Sequence, residues 1–503
     1  MLSNEEEDNL KVLLINPEFP NTYWSFRHAL PFEGKRSAFP PLGLLTVSAL
    51  LPESWERRLV DLDLCALKET DIEWADIVFV TAMLVQKDSL RRVVARCKQR
   101  GKRVVIGGPY VTTATDIVPG ADHIFLGEAE TTLPQFVIDL ERGEPRPTYQ
   151  APERPPMSAT PVPHYHLADL KRYSAMSVQY SRGCPFQCEF CDIIEIYGRI
   201  PRTKSTQQIL AELDALLKAG WRGPVFIVDD NFIGNKRNVK QMLPFLADWS
   251  DKHGQPFSFM TEASLNLAED DALLESMRTA GFRRVFLGIE TPVEESLKEA
   301  QKGQNLRRNL LDSVKRIQSH GMEIMAGFII GFDNDPEDIF ERQIDFIRAS
   351  AIPLAMVNLL SALPDTQLWR RLKNEGRLTT EASGNNSDCS LNFIPKMNAV
   401  RLVEGYKRVM RTIYNPREYY GRALDCLKEV AQNGSGSRGT TLRQDIATLS
   451  RVVFELGLRD SERREFWKYI NRVLLQHRKE FARAVRLAAM GYHLRKLAEV
   501  YCK

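Results

Sequence analysis

Cysteine is scarce in this chain, with 8 in 503 residues. Five of them, Cys65, Cys97, Cys389, Cys426 and Cys502, are scattered, which excludes a disulfide framework and leaves them as ordinary buried or surface thiols. The sequence has no uninterrupted apolar run approaching the ~20 residues of a membrane span. Its first 150 residues have no G-x-G-x-x-G, which argues against a dinucleotide site there. The start, Met1 to Asp8, is acidic, the opposite of a signal or transit peptide, and predicts a cytoplasmic protein. Neither sign of charge dominates overall, since the formal net charge is +3. The charge is uneven, however. From Arg401 onward there are 22 Lys and Arg against 11 Asp and Glu. Such a basic segment suits an anionic substrate, a membrane surface or nucleic acid, and equally a solvated helical face.

The remaining three cysteines are concentrated in Ser181-Arg182-Gly183-Cys184-Pro185-Phe186-Gln187-Cys188-Glu189-Phe190-Cys191. The spacing is C-x3-C-x2-C. Three thiolates on one short loop can hold three irons of a cubane cluster and leave the fourth open to a ligand. Structural zinc is the alternative. It would need a fourth ligand, and only His164 and His166, upstream, stand nearby in sequence.

The chain divides into a first part, residues 1–150, a proline-rich connection, 151–173, a second part, 174–380, and a third, 381–503. In the first part, apolar strands at 12–16, 59–63, 77–81, 104–108 and 123–127 alternate with helices at 41–51 and 89–100, predicting an α/β fold with a doubly wound parallel sheet. Ligands of such sheets bind beyond the carboxyl ends of the strands. Those ends carry Asn16, Pro41, Gly43, Asp61, Asp63, Thr81, Met83, Gly107, Gly108, Gly127 and Glu128. In the second part, six strand–helix units begin at 177, 225, 257, 285, 324 and 355, too few for a closed eight-stranded barrel. Their strand ends carry Asp229-Asp230-Asn231, Glu262 and Ser264, Glu290, and Gly327-Phe328-Ile329. Helix capping would explain an Asp or Ser in such places; Glu262 follows an apolar strand and is not an obvious cap. Arg199, Arg202 and Lys204 follow the cysteines and suit cluster charge, substrate or a solvated loop. The third part reads as mainly helical and basic, with a linker at Asn433–Ser437.

The cysteine motif resembles that of the radical S-adenosylmethionine (SAM) superfamily. With the preceding strand-end motifs, the chain is similar to cobalamin-binding radical SAM enzymes. The resemblance implies a Rossmann-like cobalamin domain, a partial (β/α)6 barrel and three cofactors: a 4Fe-4S cluster, SAM and cobalamin. It implies Cys184, Cys188 and Cys191 as cluster ligands. Phe190, Asp229, Asp230, Glu262, Ser264, Glu290, Gly327 and Ile329 fall at the SAM site, and the first-part strand ends at the cobalamin site. A nucleotide-binding or purely structural Rossmann-like domain is the alternative. Many such domains place a cobalt-ligating histidine in D-x-H-x-x-G; here the stretch is Asp61-Leu62-Asp63-Leu64-Cys65-Ala66, which predicts cobalamin without a protein histidine on cobalt. His28 and His123 are not spaced for that role.

The implied activity is methylation of an unactivated carbon. A 5'-deoxyadenosyl radical abstracts hydrogen and methylcobalamin supplies methyl. The stretch Arg182–Lys204 with the basic C-terminal region resembles the subgroup containing the hopanoid C-2 methylases. This implies a small-molecule or lipid substrate, a flavodoxin or ferredoxin reductase, peripheral contact with the inner membrane and no nucleic acid. Two other activities fit the motifs. One is a ring-forming or ring-contracting cobalamin oxidoreductase. The other is a tRNA-modifying radical enzyme, which would want more N-terminal cysteines than Cys65 and Cys97.

Overall fold

Residues 9–113, 118–430 and 442–502 of the computed structural model are described here. The acidic start and the Asn433–Ser437 stretch lie outside them. The first six strands are β1 (Lys11–Asn16), β2 (Glu56–Asp61), β3 (Ile77–Thr81), β4 (Arg103–Gly107), β5 (His123–Leu126) and β6 (Thr148–Gln150). They form one parallel sheet in the order β2-β1-β3-β4-β5-β6. Helices cover both faces, so Val12 to Ile15 are all fully buried and the strand reads as an unbroken apolar run. Strand order reverses between β1 and β3. That reversal opens a crevice at their carboxyl ends, where Asn16 and Thr81 stand.

The second sheet contains β7 (Met176–Val178), β10 (Gly223–Ile227), β11 (Phe257–Ala263), β12 (Phe282–Glu290), β13 (Glu323–Ile330) and β14 (Leu354–Leu359). All pairings are parallel, in the order β14-β13-β12-β11-β10-β7, with no pairing between the two edges. It is the six-unit, unclosed arrangement that the sequence predicts. A small antiparallel pair, β8 (Ser181–Arg182) with β9 (Arg202–Thr203), carries the cysteine loop. The sequence reading omits the helix Thr206–Lys218. It is opened by a capping box in which Ser205 Oγ accepts from Gln208 N and Gln208 Oε1 accepts from Ser205 N.

The C-terminal part is helical: Ala399–Ile413, Pro416–Val430, Leu442–Val452, Arg463–Gln476 and Phe481–Tyr501. It grips a segment from the opposite end of the chain. His493 is fully buried; its Nδ1 accepts from His28 N at 3.3 Å, so its Nε2 carries the proton toward Thr22 O at 3.1 Å. Tyr501 donates to Asn21 O at 2.7 Å, and Arg451 to Phe32 O at 3.1 Å. The held segment reaches the second sheet. Tyr23 donates to Val357 O on β14, and Trp24 stacks on Phe226 of β10 at 5.9 Å and lies 5.2 Å from Phe286 of β12. Tyr23 and Trp24 therefore bring this segment against the second sheet, while the C-terminal helices hold its other residues.

Candidate active site

The cysteine loop is shaped by Gly183, whose φ is +95°. A Cβ there would stand 2.9 Å from Gly198 O and 3.0 Å from Ile200 O, so no other residue fits. Behind it, Arg182 is anchored by two buried carboxylates of the first part, Glu128 at 2.6 Å and Glu130 at 2.7 Å. Arg202 of β9 adds a second grip on Glu128 at 2.6 Å. Asp229 is wholly buried and accepts from Tyr180 N at 2.8 Å and Ser181 Oγ at 2.6 Å. Both of its oxygens thus fix the start of the loop.

The cysteine sulfurs receive polar contacts. Asn231 Nδ2 lies 3.6 Å from Cys184 Sγ and Gln304 Nε2 3.5 Å from Cys188 Sγ. Asn231 is itself oriented by Ser264, whose N and Oγ both donate to its Oδ1 at 3.3 Å. Lys302 is buried, pairs with Glu290 at 2.6 Å, and is within electrostatic reach of Cys188 and Cys191. Among the described residues, no three His, Cys, Asp or Glu groups converge on one point as a single ion would require. A cubane does not require it, because each thiolate binds a different iron. His164 bonds Ser48 Oγ at 2.9 Å and faces His166, so neither completes a zinc site. The three thiols, two amide donors and one buried cation fit an anionic cluster.

A cavity of about 660 Å³ lies between the two sheets. Ten predicted residues of the first part line it: Asn16, Pro41, Gly43, Asp63, Thr81, Met83, Gly107, Gly108, Gly127 and Glu128. Asp61 does not. It accepts from Asn16 Nδ2 at 2.9 Å and Tyr173 OH at 2.7 Å, and so holds the lining from behind. Nothing lies within 4 Å of the position where a Cβ on Gly43 or Gly127 would project, leaving room for a broad flat ligand. No histidine is among the described residues lining the cavity; His28 lies in a turn and His123 starts β5, bonded to Arg146 O at 2.7 Å. This lining fits a corrin.

Asp229, Asp230 and Glu262 line the opposite wall. Burial raises Asp229 to about 6, against its hydrogen bonds. Burial, with Asp229 and Asp192 adding repulsion, raises Asp230 to about 7. Burial, with Asp230 and Asp229 adding repulsion, raises Glu262 to about 8. One oxygen of Asp230, Oδ2, is buried with no hydrogen-bond partner. Crowded carboxylates that Lys204 and Arg182 offset only in part favour a ligand carrying positive charge, and SAM brings a sulfonium and an ammonium. Phe190 is not among the cavity-lining residues; it lies 6.2 Å from Phe332 and 5.9 Å from Lys302 Nζ. Gly327 faces the Phe286 ring, 3.1 Å from a would-be Cβ, and Ile329 packs in the cluster that contains Phe332 and Leu360. No sequence motif marks Lys302 and Gln304. Their cue is the polar run Gln301–Asn305 directly after an amphipathic helix.

The fold and site define a radical SAM enzyme with a cobalamin domain, and comparison with known proteins agrees. Residues 36–137 match the B12 binding domain family and residues 178–347 the radical SAM superfamily. Residues 366–503 match a domain of unknown function. A Synechocystis protein described as an uncharacterized methyltransferase is 43% identical over 498 residues, covering 98% of this chain and 92% of that one. The hopanoid C-2 methylase of Rhodopseudomonas palustris is 35% identical over 490 residues, covering 95% and 92%. The fold resembles the cobalamin-dependent radical SAM enzyme OxsB, with TM-score 0.62 and 15% identity over 99% of this chain and 80% of that one. It also resembles TsrM, a radical SAM methyltransferase from Kitasatospora setae, with TM-score 0.57 and 15% identity over 95% and 99%. The chain belongs to the cobalamin-dependent radical SAM methyltransferases. Its cofactors are a 4Fe-4S cluster, SAM and cobalamin.

Proposed function

We propose that this methyltransferase acts on a polycyclic hydrocarbon lipid of the hopanoid class. The carrying observation is the 35% identity to a hopanoid C-2 methylase, which extends through the C-terminal region as well as the two sheets. The cavity supports it, because Trp24, Phe39 and Phe226 give it an aromatic wall suited to a rigid apolar skeleton.

When bound, the cluster with SAM supplies a hydrogen-abstracting radical and cobalamin supplies the methyl group. In this reading Cys184, Cys188 and Cys191 hold three irons. Asn231, Gln304 and Lys302 temper the charge of the thiolates. Asp230, Glu262 and Ser264 face the cationic end of SAM, with Phe190, Gly327 and Ile329 beside its adenine. Asp229 and Glu290 act by fixing the loop and Lys302. Asn16, Gly43, Thr81, Met83, Gly107, Gly108 and Gly127 cradle the corrin, Pro41 and Asp63 border it, and Asp61 holds Asn16. Glu128 ties the two parts together. Cofactors and substrate filling the chamber between the sheets would exclude water from the reacting carbon. Electrons come from a low-potential flavodoxin or ferredoxin. The enzyme works in the cytoplasm, in peripheral contact with the inner membrane.

The test is anaerobic reconstitution with iron, sulfide and cobalamin, followed by incubation with SAM, a reductant and diploptene. Mass spectrometry should show a gain of one CH2 unit, absent in Cys188→Ala. Formation of 5'-deoxyadenosine and S-adenosylhomocysteine without methylated diploptene would remove the hopanoid assignment.

A further inference from the structure

The C-terminal helices carry an apolar edge that no other described element covers. Phe454 and Leu458 stand one turn apart in Val453–Arg459; Trp467, Leu474 and Leu475 follow on the helix Arg463–Gln476. All five are exposed, Leu475 to 85%. The two elements meet where Trp467 Nε1 donates to Gly457 O at 2.9 Å. Helical spacing puts Trp467 and Leu474 on one face of the helix Arg463–Gln476, and Arg478 opens the short turn that follows it.

Arg463, Arg464, Arg472, Arg478 and Lys479 flank this edge. All are exposed, and none makes a side-chain hydrogen bond or ion pair among the described residues. That distinguishes them from Arg495, Arg483 and Lys468, whose charges are matched by Asp460, Glu480 and Glu465. Three leucines, a phenylalanine and an indole beside unmatched cations have the chemistry of an interfacial anchor. Apolar groups enter the acyl boundary while the cations meet anionic headgroups. A second copy fits poorly, because a twofold contact would bring the same unmatched cations together.

We propose that this edge, residues 454–479, docks the enzyme on an anionic lipid bilayer. It gives the membrane contact of the functional reading a surface, and it rests on exposure and charge rather than on the substrate. The experiment is flotation of the anaerobic holoenzyme with vesicles of phosphatidylcholine alone and of equal parts phosphatidylcholine and phosphatidylglycerol. Binding to the anionic vesicles only, weakening with added salt, is expected. The double variants Leu474→Asp with Leu475→Asp, and Arg472→Glu with Arg478→Glu, should each weaken it about tenfold or more. Their melting temperatures and substrate-free cleavage of SAM should match the parent. Equal binding to both vesicles, no binding, or variants that bind like the parent would overturn the proposal. So would a concentration-dependent dimer abolished by the leucine variant, which would assign the edge to a second copy. Vesicle binding by an enzyme that leaves diploptene unmethylated would keep this surface and discard the hopanoid substrate.

Discussion

Arg182 and Glu128 meet at 2.6 Å in a buried ion pair that joins the cysteine loop of one sheet to the strand end of the other. The pair lies two residues before Cys184, so the relative placement of cluster and cobalamin chamber runs through it. Arg182→Met leaves Glu128 with only Arg202 and deprives Glu130 of its cation. Removing one partner of a buried pair costs about 3–5 kcal/mol. Thermal unfolding of the anaerobic protein should show that loss. The variant should also retain less cobalamin and less iron per chain. In Arg182→Met/Glu128→Gln the cost should be smaller than the two single losses combined.

Lys302 places a buried positive charge beside Cys188 and Cys191. A reduced cluster carries one more negative charge than an oxidised one, so the cation favours reduction. Lys302→Met should lower the cluster potential by about 60 mV for each 1.4 kcal/mol of lost stabilisation. Lys302→Arg should keep most of it. An EPR-monitored redox titration reads both. Equal potentials in all three proteins would show that Lys302 serves only to pair Glu290.

Glu262 gives a pH dependence with a definite sign. Its folded-state value, about 8, lies above the ordinary glutamate value of 4.5, and burial is the first cause. Between those values the folded protein holds a proton that the unfolded chain has released. This contribution is full below about 4.5 and is lost as pH rises through about 8. In the SAM-free protein, Glu262→Gln should therefore raise the melting temperature at pH 8 by about 1–3 °C and leave it unchanged at pH 4.5. Saturating SAM should narrow the difference, since a bound cation stabilises the ionised acid. An equal shift at both pH values would mean that Glu262 does not titrate in this window.

The sequence made the strands legible because the parallel sheets bury both faces: Val12–Ile15 and Ile324–Ile330 are unbroken apolar runs. The cysteine loop was legible because its chemistry is confined to eight consecutive residues. Other features depend on residues far apart in the chain. Glu128 reads as a strand-end acid, and only the fold brings Arg182 and Arg202 to it. Asp61 and Asp63 look equivalent in sequence, yet burial turns one behind the chamber wall and the other toward it. A wide gap also separates His493 and Thr22, 471 positions apart, whose contact no local pattern announces.

That long-range contact yields a prediction about the C-terminal region. His493 is held neutral, pushed down to about 4 by burial and by His28. It bonds Thr22 and His28 on either side of Trp24, which lines the chamber. If the C-terminal helices set the chamber by holding this segment, His493→Ala should raise KM for diploptene although His493 does not reach the cavity. Trp24→Ala, which removes the wall itself, should raise KM about tenfold and cost about 3 kcal/mol in stability. Both should retain cluster and cobalamin, because the cysteine loop and the first sheet's strand ends are untouched. Because the histidine is neutral in the fold, its contribution is full above about 6.5 and is lost as pH falls through about 4. The parent should therefore lose more stability than His493→Ala between those values. A His493→Ala enzyme with normal KM and an unchanged acid limb would separate the C-terminal helices from the shaping of the chamber.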